Sequence, residues 1–254
     1  MKNSHSNIFA FNKKILKKTT KNLIIGNVAA LPTETVYGLA GNAYLKKAVR
    51  NIFRLKGRPQ SNPLIIHYYN FQKAREDVVI NKYFKKLYKK FCPGPITFIL
   101  KKSKKSKVHP IACANLNSIA VRFPKHKTIR SILKKTNFPL AMPSANKSSN
   151  VSPVNSIDVL EEFNNKIKII IDGGKSKIGI ESTIVDLTST PTILRPGIIS
   201  KKMIEKTLKI KVKSKKKFNE IKSPGMMKKH YSPGMPVLIN QTKPDGKSAF
   251  VYIG

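Results

Sequence analysis

Apolar positions in this chain fall into short runs separated by longer amphipathic stretches. Val28 to Leu31 is a run that stops at Pro32, and Leu64 to His67, Ile96 to Leu100, Ser118 to Phe123, Pro139 to Met142 and Ile167 to Ile171 repeat the form. Thr192 to Leu194 and Ile210 to Val212 are shorter versions, and a further strand starts after Gly179. Runs of this length bounded by Pro, Gly or Asn read as buried strands. Between them, Leu45, Ala48, Val49 and Ile52 occupy i, i+3, i+4 and i+7, one face of a helix that Gly57 and Pro59 terminate. A weaker helical pattern covers 10–25, and Phe71 to Phe91 reads as one helix ended by Pro93-Gly94-Pro95. Ile129, Ile132 and Leu133 mark another helix, Val159, Leu160 and Phe163 one that starts near Asn155 or Ser156, and Ile204 and Leu208 a closing one. Strands alternating with helices predict an α/β fold, a twisted mixed sheet with helices packed around it.

The polar residues gather where the strands end. Thr33-Glu34-Thr35-Val36-Tyr37-Gly38 follows the first run, Pro143-Ser144-Ala145-Asn146 another, Glu181-Ser182-Thr183 opens a third, and Arg195-Pro196-Gly197 closes a fourth. Read alone, the first of these is a capped turn into the next helix. Arg122 is a charge inside an apolar run, and a buried guanidinium needs an anion, either an internal acid or a ligand. With 12 acids in 254 residues, the ligand is the expected partner. His67 closes a strand, where a lone histidine is more often a satisfied core residue than a ligand contact. Four hydroxyl-rich strand ends with separated cations at Lys56, Arg58, Arg122 and Arg195 suit a polyanion held beside a small zwitterion, with no nucleophile from the protein.

Composition changes this picture little. Lys and Arg total 50, for a net charge of +38, which permits a nucleic-acid or polyphosphate partner. The lysines are scattered, often in pairs, alongside abundant Asn and Ile, so drift in an AT-rich genome accounts for most of the excess. Cys92 and Cys113 lack metal-ligand spacing. Gly174-Lys175-Ser176 and Gly246-Lys247-Ser248 lack the earlier glycine of a phosphate loop. No secretory signal and no run approaching 18 apolar residues are present, so a cytoplasmic protein without membrane attachment is expected.

Taken in order, several stretches resemble the YrdC family over roughly residues 10 to 212. They are Pro32 to Leu39, Lys56-Gly57-Arg58-Pro59 with Asn62-Pro63-Leu64, Pro93 to Thr97, Ala120 to Pro124, Pro143 to Asn146, Asp172-Gly173-Gly174, Glu181 to Asp186 and Leu194 to Gly197. The resemblance implies a YrdC-like catalytic domain (10–212) with a large basic cavity, a linker or lid (213–233), and the start of a truncated C-terminal domain (234–254). It implies threonylcarbamoyl-AMP synthase activity, in which L-threonine, bicarbonate or CO2, and ATP give threonylcarbamoyl-AMP and pyrophosphate for tRNA modification. By matching motif positions, Thr35, His67, Arg122, the Met142 backbone and Ser182 would hold threonine. Lys56, Arg58, Asn62, Ser118, Ser144, Ser152, Arg195 and Tyr231 would hold ATP. Mg2+ would arrive with ATP, without a protein metal motif or prosthetic group, and the product would pass to a tRNA threonylcarbamoyl transferase complex, with weak direct RNA binding. Two readings compete: a carbamoyl-adenylate-forming relative of the same fold, and a non-catalytic basic RNA-binding module.

Overall fold

In the computed structural model, which describes residues 7–214 and Pro224, the apolar runs pair into one sheet of eleven strands. In chain order the elements begin with β1 (Ile8–Ala10), α1 (Lys13–Ile24), β2 (Ala29–Leu31), β3 (Gly38–Asn42), α2 (Lys46–Lys56) and β4 (Ile65–His67). Then come α3 (Phe71–Ala74), α4 (Lys82–Phe91), β5 (Ile96–Lys101), β6 (Ser118–Arg122), α5 (Lys127–Lys135) and β7 (Leu140–Ala141). The last are α6 (Ser156–Phe163), β8 (Ile170–Asp172), β9 (Thr183–Asp186), β10 (Thr192–Arg195), α7 (Lys201–Leu208) and β11 (Lys213–Ser214). Strand order is β1-β8-β2-β3-β7-β4-β6-β5-β9-β10-β11, mixing parallel pairs such as β4 with β6 and antiparallel pairs such as β5 with β6. The mixed α/β architecture expected from the pattern is therefore what forms. Most of the expected linker and the segment 234–254, Tyr231 included, lie outside the described residues.

Helix starts follow from the sequence's many asparagines. Asn12, Asn70, Asn81 and Asn155 each accept an N–H of the first turn, at α1, α3, α4 and α6. At α6 Asp158 reciprocates to complete a capping box. Ile15 and Leu23 of α1 pack with Ile129, Ile132 and Leu133 of α5 in one core, and α2, α4, α6 and α7 bury their apolar stripes in a larger one. A third cluster consists of strand residues: Ile65, Ile99, Ala120, Ile184 and Leu194. Successive side chains of a strand alternate faces, so this patch is the floor beside which the polar side chains of the same strands stand.

Three expectations need correction. The single helix over Phe71 to Phe91 is two helices, because Asp77 turns inward and is fully buried. Its carboxylate accepts from the Tyr44 and Tyr68 hydroxyls (both 2.9 Å), the Ser106 hydroxyl (2.8 Å) and the Lys107 N–H (2.8 Å), while Val78 bridges to Lys102. Next, Gly38–Asn42 is a strand, β3, paired with β2 and β7, not the run-up to a helix. Its sequence Gly-Leu-Ala-Gly-Asn carries little β propensity, and tertiary pairing overrides it. The last strand falls at Lys213–Ser214, just beyond the apolar run Ile210 to Val212, and pairs with β10 while Val212 is buried in the main core.

Candidate functional site

Register brings the expected residues together. His67 pairs with Arg122, Arg122 with Thr97, Thr97 with Ile184, and Ile184 with Arg195, so one row crosses β4, β6, β5, β9 and β10. Ser182, just before β9, shares a hydrogen bond with Thr97 between hydroxyls at 2.8 Å and accepts from Arg195 Nη2 at 3.2 Å. Arg195 also donates Nε to the Ser182 carbonyl at 3.0 Å and pairs with Glu181, which accepts from the Ser152 hydroxyl at 3.1 Å. Ser152 thus joins the row through an acid.

Arg122 departs from the sequence reading. Its Nη2 donates to Glu34 Oε1 and to the Thr35 hydroxyl, both at 2.8 Å, so its counter-charge is an internal acid from the first polar strand end. Scarcity of acids was a poor guide, because the fold folds Glu34 back onto β6. Glu34 Oε2 also accepts the N–H of Lys125 at 2.9 Å and of His126 at 3.3 Å. Burial pushes the Glu34 carboxyl up, but the Arg122 charge and hydrogen bond together with the backbone amides pull it below its ordinary value. Two polar atoms of this group are buried without a partner: Arg122 Nε and His67 Nε2. Burial, then the Arg122 charge, lower His67 to about 3, so the imidazole is neutral, with Nδ1 against the Ile65 carbonyl at 3.2 Å.

The second group stands at the other end of β6. Arg58 donates Nε to the Asn62 carbonyl at 2.9 Å, and Nη2 to Asn62 Oδ1 at 2.6 Å and the Pro63 carbonyl at 2.8 Å. Ser118, paired with Lys101, opens β6, and extending the β4–β6 register back sets it beside Pro63. Four residue steps separate Ser118 from Arg122, about 13 Å of strand. Lys56, fully inside, donates Nζ to the Ser144 carbonyl at 2.6 Å and to the Asn146 carbonyl. Its burial and the nearby Arg58 charge lower it to about 7. Arg58 is likewise brought down to about 10, by burial first. The two arginines of the row are thus held by acids, whereas Lys56 and Arg58 donate to carbonyl and amide oxygens. Asn146, which sequence reading left out of the site, belongs here: its carbonyl takes Lys56 and its Oδ1 is buried without a partner. Its place beside Ser144 in a polar strand end was the available signal.

Met142 donates its N–H to the Ile65 carbonyl at 2.9 Å, and its side chain packs over Gly38, where an added Cβ would meet Met142 Cγ at 2.6 Å. Between the two groups runs a cleft lined by Arg58, Arg122, Met142, Ser144, Glu181 and Arg195, with the buried Pro224 also in its wall. It encloses about 40 Å3, little more than one water's share of liquid volume, about 30 Å3. The described residues do not by themselves show, at this cleft, the large basic cavity that the resemblance implies. Among the described residues no cluster of three or more His, Cys, Asp or Glu stands ready for a metal, and no helix is long and apolar enough to cross a membrane.

Sequence and fold comparisons address the same residues. A family model described as Telomere recombination, Sua5_yciO_yrdC, matches residues 21–197. The chain belongs to the Sua5/YciO/YrdC family. A second model, Threonylcarbamoyl-AMP synthase, C-terminal domain, matches residues 199–250 of this family member. Over 84% of its length it is 41% identical to a protein of Pyrococcus abyssi named threonylcarbamoyl-AMP synthase, and over 86% it is 39% identical to one of that name from Bacillus subtilis. It spans 64% of the length of each of these two relatives. Its fold superposes on a crystal structure of P. abyssi Sua5 complexed with L-threonine with a TM-score of 0.84, at 37% identity, covering 89% of this chain and 68% of that one.

Proposed function

We propose that the chain makes threonylcarbamoyl-AMP from L-threonine, bicarbonate or CO2, and ATP, releasing pyrophosphate. The carrying observation is the pair of buried, unpartnered polar atoms, Arg122 Nε and His67 Nε2, on adjacent strands of one row. A carboxylate would satisfy the Arg122 donor. With Nδ1 turned to the Ile65 carbonyl, His67 Nε2 offers a lone pair suited to an ammonium or hydroxyl. An amino acid carrying all three groups, such as threonine, answers both, and the relatives' name and the threonine-bound Sua5 structure support that choice. Thr35, Ser182 and the Met142 backbone complete this end of the site.

The phosphates of ATP take the other end, where among the described residues Lys56 and Arg58 donate to carbonyl and amide oxygens, with Asn62, Ser118, Ser144, Ser152 and Arg195 around them. The threonine amine forms a bond to the carbon of CO2 and loses a proton. The resulting carbamate oxygen then displaces pyrophosphate from the α-phosphorus. Both steps use substrate atoms as nucleophiles, so the protein's work is placement and charge stabilisation. Mg2+ comes with the nucleotide, and binding widens the cleft. Residues 10–212 serve as the catalytic domain, 213–233 as a linker whose Tyr231 contacts the nucleotide, and 234–254 belong to a further domain, a division that the C-terminal-domain match supports. The product goes to a tRNA threonylcarbamoyl transferase complex in the cytoplasm, and RNA binding by this chain is weak and salt-sensitive.

The test is incubation with labelled bicarbonate, ATP and a panel of amino acids. Threonine-dependent pyrophosphate release with label in an adenylate is expected. Pyrophosphate release indifferent to threonine, or label appearing without any amino acid, overturns the proposal.

A further inference from the structure

Beside the cleft, a larger recess of about 540 Å3 opens along α2, lined by Arg50, Phe53, Arg54, Gly57, Arg58 and Gln60. Arg50, Arg54 and Arg58 stand four residues apart, the first two stacked on one face of α2 and the third just past its end. Like charges at this spacing destabilise a helix. Nothing in α2 offsets them, because it carries Lys46, Lys47, Arg50, Arg54 and Lys56 without an acid. Among the described residues neither Arg50 nor Arg54 enters an ion pair, and Arg54 reaches Asn51 Oδ1 at 3.3 Å. One further cation, Lys102, approaches from another segment: burial, then Lys46 and Arg50 of α2 and Lys102, hold His109 below its ordinary value.

Compositional drift does not explain the stripe. Only seven of the chain's 50 basic residues are arginines. Three of them, Arg58, Arg122 and Arg195, line the cleft, and Arg130 lies over the Tyr69 ring at 4.5 Å. Arg50 and Arg54 are exposed, and their planar forks suit bidentate phosphate contacts that lysine cannot make. At the foot of the stripe Gly57 takes a left-handed backbone (φ +57°) with open space where a Cβ would stand. The recess is open to solvent over most of its extent, a platform on which an anion's oxygens can meet the arginine forks from one side.

The geometry points to a second anion subsite that takes a condensed phosphate, with Arg58 shared between it and the cleft. Resting on the function proposed above, the anion is the pyrophosphate released at the Arg58 end, handed outward along Arg54 and Arg50. The phosphate chain of a second nucleotide has the same chemistry.

The test is calorimetric titration of the full chain with inorganic pyrophosphate at low salt, the cleft first filled with a non-hydrolysable ATP analogue and threonine. Arg50→Gln with Arg54→Gln raises the pyrophosphate Kd about tenfold, as loss of charge-assisted contacts requires. Lys104→Gln with Lys105→Gln, which removes the same charge from an exposed loop, changes it by less than about twofold because that charge is screened. Equal losses in the two variants, or no pyrophosphate binding by the wild type, overturn the proposal. So does a loss of affinity for single-stranded RNA without loss for pyrophosphate, which gives the stripe to RNA. ATP binding more tightly than pyrophosphate at the same arginines assigns the subsite to a nucleotide. If the analogue fails to bind the cleft, the function proposed above is what fails, and titration of the free chain still decides the subsite.

Discussion

Removing the charge of Glu34 is the sharpest perturbation of the site. Glu34 and Arg122 are 2.8 Å apart, with side chains 10% and 5% exposed, so neither charge has water to fall back on. Breaking a buried pair by deleting one partner costs about 3–5 kcal/mol. Glu34→Gln keeps one oxygen, enough for either Arg122 Nη2 or the Lys125 N–H, and turns its amide N–H groups toward the other donor, so the full range, about 3–5 kcal/mol, is expected. Arg122→Leu should cost a similar amount by stranding Glu34, whereas the double variant should lose less than the sum. Urea unfolding of the four proteins gives the coupling energy, expected at about 2 kcal/mol. The sign with pH follows from the depressed Glu34 carboxyl. Its contribution is fully present above the unfolded carboxylate value, about 4.3, and is lost as pH falls through the lower folded value. The gap between wild type and Glu34→Gln should therefore close in acid. A coupling below about 0.5 kcal/mol, or a gap that is constant from neutral pH down to acid unfolding, refutes the assignment of Glu34 as the partner that holds Arg122.

Four further outcomes are expected. Lys56, lowered to about 7, binds fewer protons folded than unfolded above that pH, so wild-type stability should rise between pH 7 and 9, by up to about 1.4 kcal/mol per pH unit; thermal melts in which Lys56→Met shows the same rise would remove Lys56 as the cause. Binding of ATP beside Lys56 restores its charge, so calorimetry in buffers of different ionisation heat at pH 8 should detect proton uptake, and none should be seen with Lys56→Met. Asp77→Ala strands the Tyr44, Tyr68 and Ser106 hydroxyls and the Lys107 N–H, costing about 2–4 kcal/mol and exposing the loop at Lys104 and Lys105 to trypsin; unchanged cleavage would show that Asp77 does not anchor it. Gly197→Ala drives a Cβ to 2.6 Å from the Thr183 backbone nitrogen, whereas Gly38→Ala meets the flexible Met142 side chain, so unfolding should show the first more damaging, by about 1–3 kcal/mol against under 1.5.

Much of this protein was legible in the chain itself. The stripe of α2, the helix start at Asn155, the buried runs that became β4, β5 and β6, and the polar strand ends all follow from local period and local hydrogen bonding, which act between residues close in sequence. Local pattern did not group His67, Arg122, Thr97 and Arg195, and the family resemblance left out Thr97, because strand order and register arise from pairings between distant segments that no local pattern encodes. β3 was missed for the same reason: Gly38–Asn42 is a strand because β2 and β7 flank it. Asp77 split a helix that periodicity alone would have continued, since three hydroxyls and an amide from remote segments outweighed helix propensity. The partner of Arg122 shows the division most plainly. That a buried guanidinium needs an anion is dictated by its chemistry, but Glu34 lies 88 residues away in sequence, and only the folding of the first polar strand end back against β6 chose it.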